Sequence, residues 1–281
     1  MAKQGDSGIS WTDETWGPVR GCSRVSQGCT RCYAERIAAR FSGSGQPYEG
    51  LAKQTPSGPR WTGNVKLIEE RLLDPLKWRK PRRVFANSMS DLFHENLPDA
   101  AIDRVFAVMA LAPQHCYQIL TKRPERMLRY FSLGGLREEL IGIEAERVSG
   151  IARHTDAMQP RWPIPLTNVW LGVSVEDQAT ADERIPLLLR TPAAVRFISA
   201  EPLLGPVQLA RKWIGRGKPL GGGPQCDLSR PWEAPASMAG LDWFICGGES
   251  GPGARPMDIE WARSLRDQCN AAGVAFWMKQ L

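Results

Sequence analysis

A chain of 281 residues with 42% hydrophobic content can bury a large core, yet it has no run of about 18 apolar residues. Its start, Met1-Ala-Lys-Gln-Gly-Asp-Ser-Gly, lacks the apolar centre of an export signal, so one cytoplasmic domain without a membrane span is expected. Seven cysteines in such a chain argue for reduced thiols over a disulfide framework. A net charge of +6 and a pI near 9.0 admit polyanionic partners without requiring them.

In chain order, a first strand-like segment runs into Trp16-Gly-Pro-Val-Arg-Gly-Cys22-Ser-Arg-Val-Ser-Gln-Gly-Cys29-Thr-Arg-Cys32. A helix is expected over Tyr33–Phe41, and a Gly/Ser/Pro-rich loop over Gly43–Gly63. Strands are expected over Arg83–Asn87, His115–Leu120, Asn168–Val173, Val195–Ser199, Asp242–Cys246 and Val274–Met278. Helices are expected over Asp99–Leu111, Pro124–Tyr130, Gln178–Leu189 and Asp258–Ala272. Most strands are continuous apolar runs, as buried parallel strands are.

Such alternation implies crossover connections and an α/β fold, a partial or full (β/α) TIM-type barrel of about seven strands. Two stretches, about 132–165 and 209–240, break the rhythm and read as insertions over one end of the sheet. The first carries a helical run, Leu136–Arg147. The sequence stops just after its last strand, so a closing helix is absent or belongs to a longer parent chain.

Polar residues recur where the strands end: Ser88, Ser90 and Asp91; Thr121 and Lys122; Ser174 and Glu176; Glu201; Gly247, Gly248 and Glu249; Lys279 and Gln280. In a (β/α) barrel this rim carries the active site. Helix capping is the plainer account of Asp91 or Ser250 alone. Lys122 and Arg123 suit an anionic group. The Gly247-Gly248-Glu249 run departs from the dinucleotide fingerprint, and two glycines also make ordinary turns.

The C-x6-C-x2-C loop offers three thiolates. Structural zinc needs a fourth ligand, for which Cys116, Cys246, His94 and His115 are available, but no second C-x2-C or H-x3-H pair accompanies the triad. A nucleophilic cysteine needs a base, and none of the three histidines is suggestively placed. Inert packing does not suit a loop of Ser, Arg, Gln and Thr. The remaining reading is an open-site cluster: a 4Fe-4S cubane held by three thiolates leaves one iron for the amino and carboxylate groups of S-adenosylmethionine. Reduction of that sulfonium releases a 5'-deoxyadenosyl radical.

The segments Trp11–Cys22, Gly28–Glu35, Asn87–Glu95, Leu120–Arg126, Leu171–Glu176 and Gly247–Pro256 together resemble a phage-associated three-cysteine family. That family has long been catalogued as a domain of unknown function and is similar to radical-SAM enzymes. The resemblance implies a partial TIM-type barrel, Cys22, Cys29 and Cys32 as cluster ligands, and a role in phage or prophage biology. The chain departs from the common C-x3-C-x2-C spacing, and Tyr33 follows the last cysteine where the common motif has an aromatic before it. Its Gly-Gly-Glu comes late, so Ser88–Asp91 takes the place after the second strand and is the expected contact for the methionine amino group.

The expectation is therefore a radical-SAM-like enzyme that uses a 4Fe-4S cluster, S-adenosylmethionine and an external electron donor on DNA, RNA or a nucleotide-like substrate. The rim residues named above, from Ser88 to Glu249, are its expected cofactor contacts. The alternative is a non-catalytic nucleic-acid-binding or adaptor protein with a structural zinc or cluster.

Overall fold

Period-two alternation along seven short segments sends one set of side chains to each face of a sheet. In the computed structural model, which describes residues 8–150, 162–214, 240–251 and 253–281, these are β1 (Glu14–Trp16), β2 (Arg83–Ala86), β3 (Cys116–Thr121), β4 (Val169–Ser174), β5 (Val195–Ala200), β6 (Trp243–Gly247) and β7 (Ala275–Gln280). They lie side by side in chain order, every neighbouring pair parallel. The sheet curls into a half-barrel whose first and last strands do not pair, so the barrel is partial.

The helices of eight or more residues are α1 (Tyr33–Arg40), α2 (Asp99–Leu111), α3 (Pro124–Phe131), α4 (Gly135–Ser149), α5 (Gln178–Arg190) and α6 (Ile259–Ala272). Their starts follow local chemistry. The Asp177 carboxylate accepts the Thr180 N–H in a capping box at α5, and Asp258 accepts the Glu260 N–H at α6. Outward-facing Val84, Ala86, Tyr117, Ile119, Leu171, Val173 and Ile198 pack under the helices with Ile102, Phe106, Ile185 and Leu265. Inward-facing Phe85, Cys116, Trp170, Phe197, Trp243 and Ile245 enclose Trp11 in a second core that contains no helix residue. Each large apolar side chain buried there contributes about 1.5–3 kcal/mol. Gly172 is required in this layer, because a Cβ would lie 2.6 Å from the Phe197 ring.

One expectation needs correction. Residues 43–63 are not all loop: Ala52–Thr55 and Gly58–Trp61 form an antiparallel hairpin that covers Ala38 and Ala39 of α1. The helical run expected at Leu136–Arg147 is present as α4, which buries Ile141 and Ala145 in the outer core. The rest of the two expected insertions, 151–161 and 215–239, lies outside the described residues.

Candidate functional site

The cysteine loop leaves β1 and is anchored when Val19–Arg20 pairs antiparallel with Lys66–Leu67. One 3-10 turn, Gln27–Cys29, then delivers the chain to Cys32, the N-cap of α1. Three ion-paired groups hold this loop from the strand ends. From β4, buried Glu176 accepts the Ser26 hydroxyl at 2.8 Å and is paired with Lys122 and Arg184. After β3, Arg123 donates to the Ser23 hydroxyl at 2.7 Å and to Asp91 at 3.0 Å, and also pairs with Glu95. After β6, Glu249 holds Arg255, which donates to the Gln27 carbonyl at 3.2 Å. Gly28 lets the loop come this close, since a Cβ there would lie 2.5 Å from Glu176 Oε1.

His94 completes the seat of the first cysteine. Its Nδ1 accepts the Asn96 N–H at 3.1 Å, so Nε2 carries the proton and donates to the Ser23 hydroxyl at 2.9 Å. Burial, helped by the Arg123 charge, keeps this imidazole below its ordinary pKa and neutral.

Under the loop, over the inner aromatic layer, lies a cavity of about 540 Å³ that is lined by all three cysteines. Its size falls in the range of about 300–1,000 Å³ common for small-molecule sites. Burial, with the Asp91 charge next, pushes the Cys22 thiol up to about 12, and the neighbouring Cys32 and Cys29 add to this. Arg123, with Nη1 4.0 Å from the sulfur, works in the opposite direction. Burial also raises Cys32, countered by the backbone N–H groups of Glu35 and Ala34 at the helix start. A thiol raised in this way becomes a thiolate when a bound cation supplies the missing positive charge.

Most of the expected contacts meet here. Ser88, Ser90, Asp91, Thr121, Lys122, Ser174, Glu201 and Glu249 line the cavity. Glu176, Gly247 and Gly248 do not; Glu176 lies behind the loop, and the two glycine carbonyls are taken by Leu203 N and Gln280 Nε2. Several lining groups are already engaged by protein. Asp91 accepts from Thr121 Oγ1, Lys122 N, Phe93 N and Arg123. Ser90 donates to the Val19 carbonyl at 2.9 Å, and the Ser88 carbonyl accepts the Tyr33 hydroxyl at 2.6 Å.

The structure adds Ser199 and Asn87 to the lining. Ser199 stands opposite Ser174 in the β4–β5 register, and neither hydroxyl has a hydrogen-bond partner among the described residues. The signal for Ser199 is parity, since it shares the inward face with Phe197 two positions earlier. Asn87 has φ 61°, the single left-handed non-glycine residue described, and its Oδ1 accepts the Val19 N–H at 3.2 Å. That left-handed turn redirects the chain from β2 into the Ser88–Asp91 segment.

The ligand sets open to the triad are narrowed by this geometry. Among the described residues no fourth cysteine and no histidine lines the cavity. Cys116 lies in the inner aromatic layer and Cys246 in the outer core, away from the loop. No three His, Cys, Asp or Glu side chains among the described residues are grouped so as to hold a single metal ion. All three cysteines do line the cavity. No described helix is long and apolar enough to cross a membrane.

No match was found among curated proteins or solved structures. A family model described as "Protein of unknown function (DUF5131)" matches residues 6–281, and the chain belongs to that family.

Proposed function

We propose that the protein is a radical-SAM-type iron–sulfur enzyme that modifies or repairs a nucleic acid or nucleotide-like substrate in phage or prophage biology. The observation that carries this reading is the joint placement of Cys22, Cys29 and Cys32 on one cavity at the strand-end rim of a partial barrel. Cys22, Cys29 and Cys32 would hold a 4Fe-4S cluster, which when bound supplies the electron that cleaves S-adenosylmethionine. The chain's own contributions are positional and electrostatic. Glu176, Arg123 and the Glu249–Arg255 pair hold the loop in place, and Arg123 favours the thiolate of Cys22. The inner aromatic layer, through Trp11 and Phe85, gives the cavity an apolar surface.

The alternative of a nucleic-acid-binding adaptor draws less support. Of the five basic residues in the run Lys77–Arg83, three have local counter-charges, Lys77 on Asp74, Arg82 on Glu14 and Arg83 on Asp13. Anaerobic reconstitution with iron and sulfide analysis, then assay of 5'-deoxyadenosine from S-adenosylmethionine, tests the proposal. Deoxyadenosine formed by the reduced protein and lost in Cys29→Ala is the expected result. A colourless protein that retains one zinc and leaves S-adenosylmethionine intact overturns it.

A further inference from the structure

Four cationic side chains line the cavity among the described residues: Arg31, Lys122, Arg123 and Lys279. Each already has an anionic partner. Lys122 is paired with Glu176, Arg123 with Asp91, and Lys279 with Glu201, while Arg31 lies 3.9 Å from Glu249. A phosphate ester needs a charge-assisted donor free to meet it; Lys122, Arg123 and Lys279 are taken by carboxylates, and Arg31 bonds the Gly253 carbonyl.

The pairs serve different ends. Glu176, Arg123 and Glu249 each reach the cysteine loop through a further bond, so their pairing is committed to holding it. The Glu201–Lys279 pair holds nothing else. It joins the end of β5 to β7, both side chains line the cavity, and neither has a second side-chain partner among the described residues. Both stay partly open, at 17% and 20% exposure. Two residues before Glu201 stands Ser199, beside Ser174, with hydroxyls that offer neutral hydrogen bonds to whatever enters.

We propose that the cavity admits a neutral or zwitterionic small molecule and turns away phosphate esters, with the Glu201–Lys279 pair as the selecting element. Closed, the pair cancels the one lining cation among the described residues that neither sits in the loop nor holds it. It opens at low cost only to a ligand that brings an acceptor for Lys279 and a donor for Glu201 together. This inference rests on the radical-SAM reading for the adenosyl character of the ligand, and it puts the phosphates of a nucleotide-like substrate outside the cavity.

Calorimetric titration of the anaerobically reconstituted full chain tests it, with S-adenosylhomocysteine as the zwitterionic probe and 5'-AMP as the phosphate probe. The wild type should bind 5'-AMP at least about tenfold more weakly than S-adenosylhomocysteine, a difference of about 1.4 kcal/mol. Glu201→Gln should release Lys279 and strengthen 5'-AMP binding about fivefold or more, whereas Lys279→Met should show no such gain. Equal affinity for the two probes in the wild type, no binding of S-adenosylhomocysteine, or no gain in Glu201→Gln each overturns the inference. If Glu201→Gln fails to fold, the wild-type comparison alone decides. The two readings fail separately. A protein that binds S-adenosylhomocysteine and refuses 5'-AMP but makes no deoxyadenosine sinks only the enzyme reading, and a deoxyadenosine-forming enzyme with equal affinities sinks only this one.

Discussion

The Ser26 hydroxyl donates to Glu176 Oε1 at 2.8 Å, so a side chain from the end of the fourth strand fixes the middle of the cysteine loop. The same carboxylate, with its side chain 1% exposed, balances Lys122 and Arg184. Glu176→Ala leaves two cations with no counter-charge and should cost about 3–5 kcal/mol. A large fall in melting temperature and poor iron retention after reconstitution are expected. Thermal denaturation and iron analysis check this, and an unchanged melting temperature would show that the loop does not depend on Glu176.

Arg123 is the one described cation near Cys22 that favours its thiolate, against burial and Asp91. Its planar fork reaches Asp91, Glu95 and Ser23 together, which a lysine ammonium cannot reproduce. Arg123→Lys should fold with a modest loss of stability, yet take up less iron and show slower alkylation of Cys22 at a given pH in the metal-free protein. Mass spectrometry of iodoacetamide-treated protein reads the second effect. Equal alkylation rates would remove Arg123 from any electrostatic role.

Gly172→Ala tests the inner core apart from the site. The added methyl would lie 2.6 Å from the Phe197 ring, which is fully buried and packs on Trp11 and Trp243. Overpacking of this kind costs about 1–3 kcal/mol. Urea unfolding should shift to a lower midpoint. A neutral result would mean that the aromatic layer can slide.

His115 gives the stability a pH dependence of known sign. Burial holds its imidazole below the ordinary value, with Nε2 3.1 Å from the Pro75 carbonyl and a buried Nδ1 that has no hydrogen-bond partner among the described residues. As pH falls below about 6.5, the unfolded chain binds a proton that the folded chain refuses, so stability is lost on acidification. Buried His94 acts in the same sense. His115→Gln should therefore show a shallower loss of urea midpoint between about pH 7.5 and 5.5 than the wild type. Identical slopes would contradict the assignment.

The strands were legible because most are continuous apolar runs, as in Val169–Ser174, where all six residues are buried. Helix Asp99–Leu111 was legible to the residue. The hairpin at Ala52–Thr55 and Gly58–Trp61 escaped notice because its strands are polar or carry Gly and Pro, and it is held by Ala52 and Trp61 against α1. At the rim, the positions could be read but their partners could not. Asp91, Glu176 and Glu249 look from the sequence like hands extended to a ligand, yet they are occupied by Arg123, Lys122 with Arg184, and Arg255. Pairing across 30 or more positions, as between Thr121 and Asp91, is a property of the folded rim. Ser199 was missed for a related reason, since only sheet register puts it beside Ser174.

Arg31 bonds the Gly253 carbonyl and Arg255 bonds the Gln27 carbonyl, each across more than 220 positions. The cavity likewise has Cys22 on one side and Lys279 and Gln280 on another. The site is therefore among the last parts of the chain to take shape. While a ribosome is still making the protein, its thiols stand without part of the cavity lining until β7 has emerged and docked. Contacts of this sequence separation form late in folding. Loading of any cofactor onto those thiols thus awaits the docking of β7.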